Sequence, residues 1–522
     1  MPAADLSKAA SAVAAARAVV DSAARQLSVG GGREAVDTQQ VLAYDLAHAA
    51  AAVEVARAAV EYGTKGEIEA AIACAFVADA VWDVMMRLAE GALGDTADFV
   101  RTYRDPEFVG SLAQEEGPRH LDSDFELVQE TFRRFAEDRI RPIAEHIHRT
   151  NADIPEDLIA GLAEMGGFGL SVPEQYGGFA SGGESDYLGM VIATEELSRG
   201  SLGAGGSLIT RPEILTRALV RGGTEEQKRY WLPKIASAEA MVAVAVTEPD
   251  FGSDVAGLKV TATPAPDGGW VIRGVKTWCT FAARADILML LARTDPDRTK
   301  AHRGLSMFIV PKEQADGHGF VLTQDSGGRL EGRPIDTIGY RGMHSYELAF
   351  DRWWVPADCL IGGEEGLGKG FYYQMEGFEN GRLQTVARAL GVMQAAYEAA
   401  RDYASERVVF GHKIADYQLI RVKLGRIAVV IQSSRQFMYE VARLMAKGEG
   451  AMEASMLKAY VCRAAEWVTR EAMQIHGGMG YAEEFPVSRY FLDARVLSIF
   501  EGADETLALK VVARRLVEQS TT

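Results

Sequence analysis

The chain is poor in cysteine. It has four among 522 residues, Cys74, Cys279, Cys359 and Cys462, and no two of them form a CxxC pair. Widely separated cysteines are typical of a reduced intracellular protein, and their spacing is unlike that of zinc ligands. We therefore predict a cytoplasmic protein and no metal site.

Basic residues are also outnumbered. The chain has 55 Lys and Arg against 73 Asp and Glu, which gives a formal net charge of −18. Nucleic acid and anionic membranes require a basic face, so this balance disfavours both as the main partner. It is compatible with a local basic pocket for one anionic ligand.

Long apolar runs and export signals are missing too. The most apolar helical stretch, residues 70–88, is interrupted by Asp79 and Asp83 and is too polar to span a bilayer. The opening MPAADLSKAA lacks the basic segment and apolar run of a secretory signal. These absences predict a soluble protein without a membrane partner.

Three common catalytic signatures do not occur. The sequence contains no HExxH, no GxxxxGK[ST] and no GxSxG stretch. Zinc protease, P-loop and α/β-hydrolase functions therefore lose their usual support.

Length and hydrophobic pattern predict several domains. Apolar residues recur at helical spacing up to about residue 240, alternate as in strands to about 355, and return to helical spacing from 366. We predict a mainly helical protein with a β middle domain. Its parts are an N-terminal helical extension (1–105), an α-helical domain (106–242), a β domain (243–360) and a C-terminal helical bundle (361–522).

Two patterns predict local structure. Residues 258–278 alternate apolar and polar side chains around Pro-Asp-Gly-Gly, which predicts a β-hairpin. Residues 39–62 align with 417–440, and 69–77 with 453–461, which suggests a degenerate helical repeat. Chance similarity between amphipathic helices is the alternative.

The most specific stretch is AVTEPDFGSDVAG (245–257). Thr247 and Ser253 offer hydroxyl groups, and Gly252 lets backbone amides approach a ligand. A capped helix after a strand would explain the Ser-Asp pair but not the whole pattern. Further on, Trp278 and Thr280 lie two apart on a predicted strand, hence on one face. An indole beside a hydroxyl suits a planar cofactor, and a core Trp is the alternative.

Two C-terminal stretches add candidate binding residues. ERVVFGHKIADYQ (406–418) presents Arg407, Phe410 and Gln418, and QIHGGMGY (474–481) is a glycine-rich turn between helices. Because no strand precedes it, this turn is not a dinucleotide fingerprint. Its backbone amides are still suited to cradling a pyrophosphate.

Glu501 stands out in SIFEGADETL (498–507). Ile499 and Phe500 precede it and Gly502 follows, which indicates a carboxylate held against a partner with the backbone close by. The alternative is a helix start whose first turn favours acidic residues.

Together and in this order, these five stretches closely resemble the acyl-CoA dehydrogenase family, over roughly residues 123–520. The resemblance implies a helix–sheet–helix fold, an acyl-CoA substrate, and FAD held between the middle sheet and the C-terminal helices, with a neighbouring subunit completing the site. The residues that it implies for FAD binding are Val246, Thr247, Gly252, Ser253, Trp278, Thr280, Arg407, Phe410, Gln418, Gln474, Gly477, Gly478 and Glu505.

Glu501 falls on the glutamate that many family members use as catalytic base. A thioester α-proton is weakly acidic, so a carboxylate must be aimed at it in a dry site while hydride leaves the β-carbon for the flavin. The resemblance implies that the Glu501 N–H stabilises the enolate and that Gly502 leaves room for the acyl chain. Phe500, Ala503 and His412 depart from the usual Tyr, Thr and Lys or Arg, and would shift flavin affinity or potential without removing the base.

Residues 332–350 and the extension are most similar to members that oxidise (2S)-methylsuccinyl-CoA to mesaconyl-CoA, in the ethylmalonyl-CoA pathway. A free substrate carboxylate in an apolar pocket needs a cation or several donors. The candidate substrate residues are Ser253, Glu379, Arg382, Gly502 and Arg211, with Arg341 and His344 as further candidates. For each arginine, a surface or interdomain salt bridge is the alternative.

Two other functions stay open. The first is a dehydrogenase of short branched monocarboxylic acyl-CoAs, such as 2-methylbutyryl- or isobutyryl-CoA. The second is a relative that binds DNA or serves as an assembly partner without turnover. The net charge of −18 weighs against DNA, and the intact Glu501 weighs against a purely structural role.

The resemblance also implies partners. It implies an electron-transferring flavoprotein as acceptor and a homo-oligomer, because the family's C-terminal bundles commonly pack into a tetramer. The extension lacks the flavin-contacting residues, and its helices would cover the same apolar surface within one chain. We therefore predict a homodimer rather than a tetramer, with the extension capping the C-terminal helices.

Overall fold

Helices occupy both ends of the chain and strands its middle. The structure, a computed structural model, describes residues 2–89, 93–315 and 318–520. The helices before the strands are α1 (Leu6–Val29), α2 (Arg33–Thr38), α3 (Gln40–Gly63), α4 (Glu67–Leu88), α5 (Ala97–Tyr103), α6 (Pro106–Ser111), α7 (Ser123–Phe135), α8 (Arg141–Thr150), α9 (Glu156–Glu164), α10 (Glu184–Gly200), α11 (Thr210–Gly222) and α12 (Glu225–Ala236). Within the described residues, the predicted helical spacing up to about residue 240 agrees with these bounds.

The middle strands form one sheet. They are β1 (Val242–Ala245), β2 (Thr261–Pro264), β3 (Trp270–Thr280), β4 (Ile287–Arg293), β5 (Leu305–Pro311), β6 (Phe320–Thr323), β7 (Arg329–Ile335) and β8 (Ser345–Val355). Their order is β1-β4-β2-β3-β8-β7-β6, with β5 paired to β4. β2 and β3 pair antiparallel around the Pro-Asp-Gly-Gly turn, so the predicted hairpin is confirmed.

The last part of the chain is helical apart from a short hairpin whose two strands have two residues each. It contains α13 (Gly370–Glu406), β9 (Val408–Val409), β10 (His412–Lys413), α14 (Gln418–Ala446), α15 (Ala451–His476), α16 (Val487–Leu497), α17 (Asp504–Thr506), a π-helical segment (Leu507–Ala513) and α18 (Arg514–Gln519). The predicted mainly helical fold with a β middle domain is thus confirmed. Among the described residues, no helix is both long and apolar enough to cross a membrane.

The chain divides into two compact units. The first unit combines Met1–Thr131 with Thr385–Thr522, and the second is Phe132–Gln384. The predicted four-domain division stays a prediction.

The core of the second unit lies on both faces of its sheet. Leu288 and Leu290 of β4 join one buried apolar cluster, whereas Ile287 and Met289 join another that includes residues of α11 and α12. Since both faces of β4 are covered, its sequence is continuously apolar instead of alternating.

In the first unit, the extension packs on the C-terminal helices. Helix α3 lies against α14 and α15, and α1 lies against α18. Arg57 pairs with Glu440, and Gln432 donates to the Tyr62 hydroxyl over 3.0 Å. The prediction that the extension caps these helices is therefore confirmed.

The suggested repeat agrees with the helix bounds. Helices α3 and α14 begin at Gln40 and Gln418, which are aligned residues, and each is followed by a second long helix, α4 or α15. Each aligned segment therefore forms a pair of consecutive long helices, α3 with α4 and α14 with α15. A common origin of the two pairs stays a prediction.

Candidate active site

Glu501 occupies a short loop in the first unit between α16 and α17. Its φ is 53° and that of Gly502 is 99°, both in the left-handed region. A Cβ at Gly502 would approach a Leu507 side-chain carbon to 2.9 Å and would be strained at this φ, so glycine is favoured there. A left-handed glutamate costs on the order of 1–3 kcal/mol and persists only when its surroundings fix it. We call residues 498–504 the glutamate loop.

Two side chains of α13 hold the Glu501 carboxylate. The Thr385 hydroxyl donates to Oε2 over 2.8 Å, and Arg388 Nη2 donates to Oε1 over 2.7 Å. The Arg388 side chain is fully buried, and its guanidinium lies 4.7 Å from the Phe500 ring centroid. These charge-assisted hydrogen bonds fix the orientation of the carboxylate.

A buried lysine holds the backbone of the same loop. Lys458 Nζ on α15 donates to the Gly502 carbonyl over 2.6 Å. Sequence reasoning found neither Lys458 nor Arg388. Both are single charges in apolar helical stretches, which is the available signal that each has a buried partner.

The predicted flavin-binding strand region lies in the second unit. Buried Lys276 donates to the Val246 carbonyl over 2.8 Å and to the Glu248 carboxylate over 2.9 Å. Glu248 also accepts the backbone N–H groups of Lys259 and Val260, over 2.7 and 2.9 Å. Burial lowers the pKa of Lys276, while Glu248 acts against this shift. This buried pair, which sequence reasoning missed, fixes the loop that begins with Val246.

Strand β3 is irregular where it carries Trp278. Its pairing with β8 shifts register between Lys276 and Cys279, and Trp278 has a φ of 57°. Trp278 is 56% exposed, whereas Thr280 is 8% exposed and hydrogen-bonds to the Ser345 hydroxyl. The prediction that Trp278 and Thr280 share one face assumes that side chains alternate regularly along the strand. A bulge between Lys276 and Cys279 interrupts this alternation.

Several FAD candidates lie in the first unit. Phe410 sits at the tip of the β9–β10 hairpin with a φ of 51° and 92% exposure. Gly477 and Gly478 follow α15, and a Cβ on either would meet nothing within 4 Å. Such open backbone fits a bound pyrophosphate. The Gln418 amide donates to Glu107 over 2.6 Å, so its proposed role toward FAD stays a prediction.

The other members of the predicted FAD set are placed as follows. Thr247 is half-buried, and its carbonyl accepts the Thr277 N–H over 2.8 Å. Gly252, Ser253 and Glu505 are exposed, and a Cβ on Gly252 would meet no atom within 4 Å. Arg407 is exposed and Gln474 is accessible near the end of α15.

A small cavity in the second unit has a partly polar lining. Its lining residues are Gly167, Phe168, Leu170, Ser171, Met190, Ile209, Glu213 and Gln384. Buried Glu213 accepts hydrogen bonds from Asn380 and from Arg217 Nε, the latter over 2.8 Å. Since Arg217 neutralises Glu213, the cavity offers polar groups without a bare negative charge.

The predicted cations for a substrate carboxylate have protein partners. Buried Arg211 donates to the Tyr340 hydroxyl over 2.9 Å and to the Ser207 carbonyl over 3.1 Å. Arg341 donates to two carbonyl groups. Glu379 and Arg382 are half-buried on α13. The cavity lining includes none of these four residues, and their substrate roles stay predictions.

One group of side chains has the composition of metal ligands. Asp153, His318 and His344 bring their ligand atoms within 4.8 Å of one another. His344 Nε2 lies 2.7 Å from Asp153 Oδ1, and burial lowers the pKa of His344. This contact with Asp153 engages His344, which was a further candidate for the substrate carboxylate.

Comparison with known proteins assigns most of the chain. Models of the N-terminal, middle and C-terminal domains of acyl-CoA dehydrogenase match residues 122–239, 243–353 and 368–517. A (2S)-methylsuccinyl-CoA dehydrogenase of Cereibacter sphaeroides is 44% identical over 404 residues, which is 77% of this chain and 71% of that protein.

Solved structures agree with these matches. The butyryl-CoA dehydrogenase of Megasphaera elsdenii has a TM-score of 0.67 at 29% identity, covering 74% of this chain and 97% of its own. A chain from work on the electron transferring flavoprotein of Acidaminococcus fermentans has a TM-score of 0.68 at 29% identity, covering 77% and 98%. The protein described here therefore belongs to the acyl-CoA dehydrogenase family of FAD-dependent oxidoreductases.

Proposed function

We propose that this chain oxidises (2S)-methylsuccinyl-CoA to mesaconyl-CoA, with Glu501 as the catalytic base. The observation that carries the proposal is the strained backbone of Glu501, whose side chain is 10% exposed and is held at both oxygens by Thr385 and Arg388. The substrate follows the 44% identical relative of Cereibacter sphaeroides.

The residues of the glutamate loop have separate tasks. The candidate residues Thr247, Trp278 and Phe410 would help to hold FAD, which would supply an acceptor for the hydride of the substrate β-carbon. Glu501 takes the α-proton, and its own N–H is the candidate donor to the thioester oxygen as negative charge develops there. Arg388 and Thr385 hold the carboxylate in one orientation, which reduces the cost of reaching the reactive geometry. Lys458 holds the Gly502 carbonyl, so the backbone that carries the donor is fixed as well.

The choice of a dicarboxylic over a branched monocarboxylic thioester rests on the 44% identical relative alone. The small cavity beside Ser171 and Gln384, with a volume of about 10 Å³, has room for one water molecule and does not distinguish the two substrates.

The direct test is a panel of acyl-CoAs mixed with the FAD-loaded protein and a dye acceptor. We expect methylsuccinyl-CoA to bleach the flavin and to be oxidised with a higher kcat/KM than isobutyryl-, 2-methylbutyryl- or butyryl-CoA. A preference for isobutyryl- or 2-methylbutyryl-CoA would establish the alternative enzyme. If none of these acyl-CoAs bleaches the flavin, the result would support a role as an assembly partner without turnover.

Arg211→Leu is expected to slow turnover of methylsuccinyl-CoA about 10-fold more than that of butyryl-CoA. The reason is that, of these two substrates, only methylsuccinyl-CoA has a free carboxylate for the guanidinium to neutralise. Tyr340→Phe is the matched control, because it removes the hydroxyl bonded to Arg211 but keeps the cation. Equal losses on both substrates in Arg211→Leu would mean a structural role for Arg211.

We expect the protein to form a homodimer. The extension covers faces of α14 and α15, which would then be unavailable for a second dimerisation. Light scattering should give twice the chain mass of 56.6 kDa. A tetramer mass would show that the extension does not block assembly. Removing residues 1–105 should expose these faces and promote higher association or aggregation.

The proposed electron acceptor is an electron-transferring flavoprotein. The family membership and the structural match to a chain from work on such a flavoprotein support it. Dye reduction by the acyl-CoA panel is independent of this choice, so the acceptor is tested separately by replacing the dye with the flavoprotein.

A further inference from the structure

The residue that ends the glutamate loop is bound by the N-terminal extension. The Tyr44 hydroxyl donates to Asp504 Oδ2 over 2.5 Å, and His48 Nε2 lies 3.3 Å from Asp504 Oδ1. Tyr44 and His48 are four residues apart on α3 and therefore share one helix face. Two side chains of the extension thus contact the Asp504 carboxylate, Tyr44 through a hydrogen bond and His48 at ion-pair distance. Tyr44 precedes Asp504 by 460 residues.

The electrostatics of this contact favour an ionised Asp504. Burial acts to raise the pKa of Asp504, but His48 and Tyr44 outweigh it and hold the pKa below its usual value. Burial, followed by the bond to Asp504, raises the pKa of Tyr44 to about 12. Arg463 Nη1 donates to the Tyr44 hydroxyl oxygen over 3.2 Å. The hydroxyl proton of Tyr44 therefore remains directed at Asp504. The contact is therefore a neutral hydroxyl donating to a buried carboxylate.

Asp504 in turn closes the glutamate loop. Its backbone N–H donates to the Ser498 carbonyl over 3.1 Å, which joins the two ends of the loop. Glu501 lies between these ends in a left-handed conformation that needs external support. A shift of Asp504 would consequently move the backbone on which Glu501 is carried.

We infer that Tyr44 and His48 of the extension are positioning residues for Glu501, acting through Asp504. The inference rests on the proposed role of Glu501 as base. It assigns the extension a task in catalysis beyond packing, which differs from the sequence-based expectation. The family match begins only at residue 122, so this support lies outside the part of the chain that the family models describe.

The experiment compares Tyr44→Phe, and Tyr44→Phe combined with His48→Gln, with the unmodified FAD-loaded full chain. Hydrogen exchange of a peptide covering residues 498–507 should become faster in both variants, because the loop opens more often. Flavin reduction at saturating acyl-CoA should slow by about 10- to 100-fold in the double variant, since a displacement near 1 Å can cost this much. FAD content should remain one per chain.

Tyr62→Phe is the matched control. Tyr62 lies on the same helix, is buried, and donates to the Pro118 carbonyl over 3.0 Å without touching the glutamate loop. Its loss should lower stability but leave the exchange of residues 498–507 and the reduction rate unchanged. Equal slowing in Tyr62→Phe would overturn the inference, because it would reflect general loosening of the extension.

The two readouts separate this inference from the proposed function. Hydrogen exchange needs no substrate, and reduction is followed with whichever acyl-CoA bleaches the unmodified protein. If none does, the proposed function fails, and exchange alone decides whether the extension fixes the loop. Unchanged exchange in Tyr44→Phe and in the double variant overturns the inference. Because Tyr44→Phe removes a single hydroxyl, it remains informative if the double variant does not fold.

Discussion

Glu501→Gln is expected to slow flavin reduction by about 10³- to 10⁴-fold while the protein stays folded with FAD bound. The amide has the shape of the carboxylate but cannot take the α-proton. Its oxygen can still accept from Arg388, and its nitrogen can donate to the Thr385 hydroxyl oxygen once the hydroxyl proton turns away. The loss should therefore appear in the rate of reduction and not in folding.

Stopped-flow bleaching of the flavin with saturating acyl-CoA measures this effect. The matched control is Glu484→Gln, a change at an exposed glutamate close to α16, which should reduce its flavin at the normal rate. A near-normal rate in Glu501→Gln would show that another group takes the proton.

Lys276→Met is expected to lower the free energy of unfolding of the second unit by about 3 kcal/mol or more. It leaves Glu248 buried at 4% exposure with two backbone donors but without its cation. The loop that begins with Val246 also loses the hydrogen bond to its carbonyl. Since this loop carries predicted FAD contacts, we expect weaker FAD retention as well.

Urea unfolding measures the change in stability, and release of the flavin measures the change in FAD retention. Lys259→Met is the matched control, because Lys259 is exposed and pairs weakly with Asp250 over 3.5 Å, so its change should stay within about 0.5 kcal/mol. Adding Glu248→Gln to Lys276→Met should recover part of the loss, since no buried charge then remains. A single variant as stable as the control would mean that the pair contributes little.

Local patterns predict much of this fold and the identity of the glutamate. The hairpin at residues 258–278 could be predicted because its alternation and turn residues are contiguous. Glu501 could be proposed because its apolar neighbours and Gly502 are adjacent in sequence. Long helices likewise follow from a periodic apolar face.

The partners of these residues could not be predicted in the same way. Arg388 and Glu501 are 113 residues apart, and only packing of the first unit joins them. The pairing of Lys276 with Glu248 depends on the path of the chain after β1. The bulge at Trp278 gives no signal in the sequence, because a single extra residue in a strand has no pattern of its own to recognise. Long-range polar contacts and irregular backbone are therefore where the structure adds most.

The construction of the first unit from both ends of the chain constrains its synthesis. Helices α3 and α4 leave the ribosome early, but α14 and α15, against which they pack, follow more than 300 residues later. At about 5–20 residues per second, the apolar faces of α3 and α4 wait for tens of seconds without their final partners. The second unit, Phe132–Gln384, is contiguous and can fold during this interval. Completion of the first unit is thus a late, post-translational event, and the N-terminal helices are the segment most in need of a chaperone while it is pending.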